Sequence, residues 1–132
     1  MEMPSIIYDV KDRIWITTND YAYVDDDYVI IVPAGFKFNL ASVPRILWFV
    51  ISPYELSIPA PLVHDYLYVN KGKIGNRLYS RRDADKIFKR LMGQMGVGKF
   101  RRFFGYISVR AFGWLYWYDV KIKFGNKIIK EF

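Results

Sequence analysis

The sequence predicts an α+β domain with an N-terminal antiparallel β-meander, a helical part built around an antiparallel helix pair, and a C-terminal hairpin. Three observations carry this reading. Short runs of β-branched and aromatic residues crowd the first third of the chain. Helical apolar stripes with capping signals follow only later. The order lacks the strand and helix alternation that a parallel sheet requires. With 132 residues, 52% of them hydrophobic, the chain can bury one real core. One domain is expected, β-rich over 5–36, helical over 42–118 and closed by a tail hairpin over 119–132.

The strands are read at Ile14 to Thr18, Tyr21 to Val24 and Tyr28 to Val32, with Asn19-Asp20 and Asp25-Asp26-Asp27 as turns. The acidic triplet reads as a solvated hairpin turn. Pro44 fits the first turn of a short helix through Arg45 to Phe49, with Ser42 or Val43 at its cap. Pro61 suits the start of a helix carrying His64 and ending near Asn70, before a loop with Gly72 and Gly75. Ser80 and Asp83 have the spacing of a capping box. The helix they open has its apolar stripe at Ala84, Ile87, Phe88, Leu91, Met92 and Met95. A last helix is read from about Lys99 to Trp117, with Phe100, Phe103, Phe104, Ile107, Ala111 and Leu115 on an inward face. The tail alternates apolar and lysine residues about Gly125-Asn126, as a hairpin would.

Composition narrows the chemistry. Without cysteine there are no disulfides or thiolates, and a single histidine leaves too few nitrogen ligands for zinc. A metal would sit among oxygens, which favours Ca²⁺ or Mg²⁺. No nucleotide cofactor is indicated. No apolar run reaches the roughly 18 to 20 residues that span a bilayer, and "MEMPSIIYDV" lacks the features of a signal peptide. The formal charge of +7 is unevenly spread, because residues 71–110 hold 12 Lys/Arg against 2 Asp/Glu. Arg81, Arg82, Lys86, Lys89, Arg90, Lys99, Arg101 and Arg102 make up most of this patch. Such a segment attracts phosphate on a lipid or nucleic acid, or an acidic protein face.

The only histidine lies in "PLVHDYLY". Tyr68 is four residues on, one turn above His64 on the same helix face. Asp85 sits at the edge of the next helix's apolar stripe. Packing that stripe inward buries its carboxylate, which then needs a partner. If the two helices pack antiparallel, Asp85 bonds one nitrogen of His64 and the other nitrogen serves as a base toward water. Asp65 points about 100° away from His64 and could face a cation, together with the segment around residues 39–45.

This constellation resembles the site of the phospholipases A2, over about 25 residues. There a helical His-Asp pair supplies the general base and a Ca²⁺ ligand, and an aspartate on the adjacent antiparallel helix orients the histidine. His64, Asp65, Tyr68 and Asp85 match those positions, and the resemblance implies catalytic His64 and Asp85 with Asp65 as a Ca²⁺ ligand. The glycine-rich loop that supplies carbonyl ligands in those enzymes has no counterpart before His64. A longer resemblance, from about Val32 to Gly113, rests on "VPAGFKFNLASVPRILW", "HDYLY", "SRRDADKIF" and "YISVRAFG". These look like the phage and prophage domain-of-unknown-function family 1353. That family carries Thr-Asp where this chain has Phe38-Asn39, so Asn39 offers an amide in place of an acid as a second metal ligand.

Ser42, Arg45, Tyr106 and Arg110 fall within the same motifs as binding or structural residues, beside Arg81 and Arg82. The plain readings stand next to the sharp ones. His64 can be a satisfied structural histidine, Asp85 can pair with Arg45, Arg81 or Arg110 to lock helices, and Ser42 can be a cap. The leading expectation is a phage-encoded, Ca²⁺-assisted ester hydrolase acting on a lipid or envelope substrate. A non-catalytic virion component that contacts phage structural proteins is the alternative. A basic binder of nucleic acid or a host factor is the third. The host cytoplasm is the expected compartment, with packaging in the virion as a second destination.

Overall fold

The computed structural model describes residues 3–12, 14–25, 28–38, 59–118, 123–124 and 127–128. Antiparallel strands come first, then helices, then a short terminal hairpin, as the order of sequence patterns requires. Strands β1 (Ile6–Asp9), β2 (Ile14–Thr17) and β5 (Lys37–Phe38) form one sheet in the order β1-β2-β5. Strands β3 (Tyr21–Asp25) and β4 (Tyr28–Val32) pair separately, with Tyr23 opposite Ile30. This division departs from the single three-stranded meander. β2 turns away from β3 and bonds β1 on one side and β5 on the other. Thr17 holds the return. Its hydroxyl donates to the Pro33 carbonyl at 2.8 Å and accepts from the Phe36 amide at 2.9 Å. β1 lacks a clear alternation, having an i-e-e-i burial pattern, and escapes a period-two search.

Helix α1 (Pro59–Val69) places two prolines in its first turn, where the missing amide donors cost nothing. Nine of its eleven residues are buried, so it is a core helix rather than a one-sided amphipathic one. The following connection, read as a loop, contains a tight hairpin of β6 (Lys73–Ile74) and β7 (Arg77–Leu78). Tyr28 ties this hairpin to β4 by donating to the Ile74 carbonyl at 2.7 Å.

Helix α2 (Arg81–Gln94) starts at the expected capping box. The Asp83 amide donates to the Ser80 hydroxyl at 3.0 Å, and the Ser80 amide donates to the Asp83 carboxylate at 3.2 Å. Ala84, Ile87, Phe88, Leu91 and Met92 are buried, and they meet α1 and the β3–β4 pair in one core. Asp25 corrects the reading of the acidic triplet. It is the last residue of β3, it is buried, and it accepts from Arg90 at 2.7 Å and from the Tyr79 hydroxyl at 3.2 Å. A carboxylate next to a turn thus anchors the strand pair to α2.

Helix α3 (Lys99–Phe112) differs most from expectation. Its buried residues are Gly105, Ser108 and Val109, whereas Phe100, Phe103, Phe104 and Ile107 are exposed. Close packing explains the reversal, since a Cβ at Gly105 would lie 2.9 Å from the Met92 methyl carbon. The small residues let α3 approach α2, and the large aromatics are turned outward. The long final helix also breaks at Gly113, leaving α4 (Trp114–Trp117) as a separate turn. Tyr116 and Trp117 pack on the core, while Trp114 and Tyr118 remain exposed. In the tail, β8 (Lys123–Phe124) pairs antiparallel with β9 (Lys127–Ile128).

Candidate active site

Helices α1 and α2 bring His64, Tyr68 and Asp85 together in the core. His64 Nε2 stands 2.7 Å from Asp85 Oδ1, and the Tyr68 hydroxyl donates to the same oxygen at 2.6 Å. Both His64 and Tyr68 reach one carboxylate because they are one helical turn apart on α1. The other oxygen, Asp85 Oδ2, accepts from Arg110 Nη1 at 2.8 Å and pairs with Arg81 Nη1 at 3.5 Å. Arg81 also donates to the carbonyls of Val109 at 3.0 Å and Arg110 at 3.2 Å. It thereby ties the start of α2 to the end of α3.

These contacts set the charges. Burial alone would raise the Asp85 carboxyl, but hydrogen bonds from His64, Tyr68 and Arg110 outweigh it and hold the group below its ordinary value. Burial lowers His64, and the Asp85 hydrogen bond and charge restore only part of the loss, with Arg81 opposing them. Burial and the Asp85 charge push the Tyr68 hydroxyl up, so it remains a donor. At neutral pH the site therefore holds an ionised Asp85 and a neutral His64. An ionised carboxylate only accepts, so the network assigns the ring proton to Nε2 and leaves Nδ1 as the basic nitrogen.

Asp65 follows His64 on α1 and is also buried, because nearly the whole circumference of this helix is. Its Oδ1 is sealed from solvent and has no hydrogen-bond partner among the described residues. Burial pushes its carboxyl up to about 7. Such an atom fits a hard cation, which would restore the charge balance that burial removed. Among the described residues no group of three His, Asp or Glu side chains converges as a metal cluster. Asn39, Ser42 and Arg45, together with the helix read after Pro44, lie outside the described residues.

The remaining residues singled out by sequence are dispersed. Arg82 is exposed on α2. Tyr106 is half-buried and carries the Lys89 ammonium over its ring at 5.2 Å. One residue that the sequence reading missed is Gly113. A Cβ there would lie 2.5 Å from the Tyr68 hydroxyl and 3.2 Å from Arg81 Nη1. Its small size lets both groups reach Asp85, and its only signal was its place at the end of "YISVRAFG".

Comparison with known proteins agrees with the longer of the two resemblances. The family model described as "Protein of unknown function (DUF1353)" matches residues 15–109, and the chain belongs to that family. No curated protein matches the chain, and neither does any solved structure.

Proposed function

We propose that this member of the DUF1353 family is a phage-encoded ester hydrolase of the phospholipase A2 type, acting on a lipid or envelope substrate with the help of Ca²⁺. The observation that carries the reading is the juxtaposition on α1 of two buried groups with opposite needs. His64 is bonded through Nε2 to Asp85, and the adjacent Asp65 has a sealed oxygen with no hydrogen-bond partner among the described residues. Asp85 fixes the His64 tautomer and stabilises the imidazolium that forms when Nδ1 takes a proton from water. Tyr68, Arg81 and Arg110 hold Asp85 in place, so the ring keeps one orientation through proton uptake. Asp65 would hold the cation, with Asn39 as the second residue assigned to it. When bound, Ca²⁺ would polarise the ester carbonyl. Returning the His64 proton to the leaving alkoxide completes the cycle.

A second reading has its own support. His64 and Asp85 are both fully buried, and Asp85 is held by three hydrogen bonds and an ion pair to Arg81, as in a polar lock between helices. On this reading the chain is a non-catalytic virion component. His64→Gln separates the two, because a glutamine amide can still donate to Asp85 from the Nε2 position but offers no basic nitrogen at Nδ1. Fatty-acid release from phospholipid vesicles with Ca²⁺, abolished in His64→Gln at unchanged thermal stability, supports the hydrolase. Absence of turnover in folded wild-type protein, with stoichiometric recovery of the chain in purified virions, supports the structural role.

A further inference from the structure

The outward face of α3 is built against the usual rule of burial. Phe100, Phe103, Phe104 and Ile107 are 74%, 51%, 43% and 45% exposed, while Gly105 and Ser108 of the same helix are buried. The four exposed side chains span about 100° of helical arc, from Phe103 through Ile107 and Phe100 to Phe104. Phe100 and Phe104 stack edge to face with centroids 4.7 Å apart, so they form a ridge rather than scattered residues.

Cations border the ridge on both sides. Arg101 flanks Phe104 on the wheel and Lys99 flanks Phe103. Lys89 reaches from α2 to within 5.9 Å of the Phe103 ring centroid. Beyond Lys89, a depression of about 440 Å³ between α2 and α3 is lined by Lys86, Lys89, Arg90, Gly93, Gln94 and Arg102. Arg90 is committed to Asp25, but among the described residues no acidic side chain lines the depression. An apolar ridge between basic margins is the chemistry that meets acyl chains and anionic headgroups at once.

We infer that the α3 face docks flat onto an anionic lipid bilayer, with the phenylalanine ridge entering the headgroup boundary and the flanking Lys and Arg residues contacting lipid phosphate. The inference stands apart from catalysis, since a protein without hydrolase activity would still bind through this face. A nucleic acid would use the basic margins and leave the ridge in water. A second copy of this chain would cover the ridge but bring its cations against one another.

Sedimentation of the full chain with vesicles tests this. Vesicles of phosphatidylcholine alone are compared with vesicles containing phosphatidylglycerol, for wild type, Phe100→Ser/Phe104→Ser and Lys99→Glu/Arg101→Glu. All replaced residues are exposed, and circular dichroism melts confirm folding. Wild type should bind anionic vesicles and release with added salt. The phenylalanine variant should bind about a hundredfold more weakly, and the charge variant should lose the preference for anionic lipid. Equal binding by the phenylalanine variant, or no vesicle binding by wild type, would overturn the inference. So would a wild-type dimer that the phenylalanine variant converts to monomer, or duplex DNA bound in preference to vesicles.

Discussion

Asp65→Asn should make the protein more stable at neutral pH, and the gain should depend on pH. The Asp65 carboxyl is 1% exposed and rises from its ordinary 3.8 to about 7. A raised carboxyl means that the native state holds the proton more tightly than the unfolded chain does. Stability from this group is therefore fully present below about pH 4 and is lost as pH rises toward 7. The ionised form then costs about 4 kcal/mol relative to the neutral one. Asparagine has nearly the same shape and carries no charge at any pH. Its stability advantage over wild type should be near zero at pH 4 and approach about 4 kcal/mol at pH 8, or roughly 10 to 20 °C in Tm. Urea unfolding of both proteins at pH 4.5, 6 and 8 measures this, and His64 drops out because it is common to both. If Asp65 holds the proposed cation, Ca²⁺ in hundredfold excess over its Kd should return about 2.7 kcal/mol to wild type and less to the variant, whose neutral amide is a weaker ligand. A stability difference that stays flat with pH would refute the reading that Asp65 Oδ1 is buried with no hydrogen-bond partner among the described residues.

Arg110→Met removes the 2.8 Å contact to Asp85 Oδ2 and should cost about 2 kcal/mol in urea melts at pH 7. Because Asp85 is held below its ordinary value, that loss should shrink in strong acid as the carboxylate protonates. Gly113→Ala should destabilise by about 1 to 3 kcal/mol, since its Cβ meets the Val109 carbonyl oxygen and the Tyr68 hydroxyl at 2.4 and 2.5 Å; thermal melts read this directly. Ser80→Ala deletes the capping box of α2 and should cost about 1 kcal/mol while the NMR titration of His64 stays unchanged.

The His64, Tyr68 and Asp85 triad was legible because each part is local. Four residues separate the histidine from the tyrosine on one helix, and the capping box at Ser80 fixes the register of α2, hence the inward aim of Asp85. The partners from α3 were harder to choose. Arg110 and Arg81 were named only among several ions for Asp85, since which one reaches it depends on how closely α3 approaches α2. That approach depends on Gly105 and Gly113, whose contribution is the absence of a side chain. The same dependence on small residues decides that the phenylalanine face of α3 points outward. Apolar periodicity reports that a stripe exists, and the small residues opposite it decide which side is buried. Asp25 was lost for a similar reason. A run of three aspartates beside a turn has the pattern of a solvated loop, and only the arrival of Arg90, 65 positions away, makes its first member a core anchor.

His64 is neutral at pH 7, donates through Nε2 to an ionised Asp85 and leaves Nδ1 unprotonated. Because the chain has one histidine, a long-range nitrogen-15 spectrum shows a single ring without assignment. A neutral ring protonated at Nε2 at pH 7, titrating below 6.5, is the predicted result. A ring protonated at Nδ1 alone, or an imidazolium at pH 7, would contradict it.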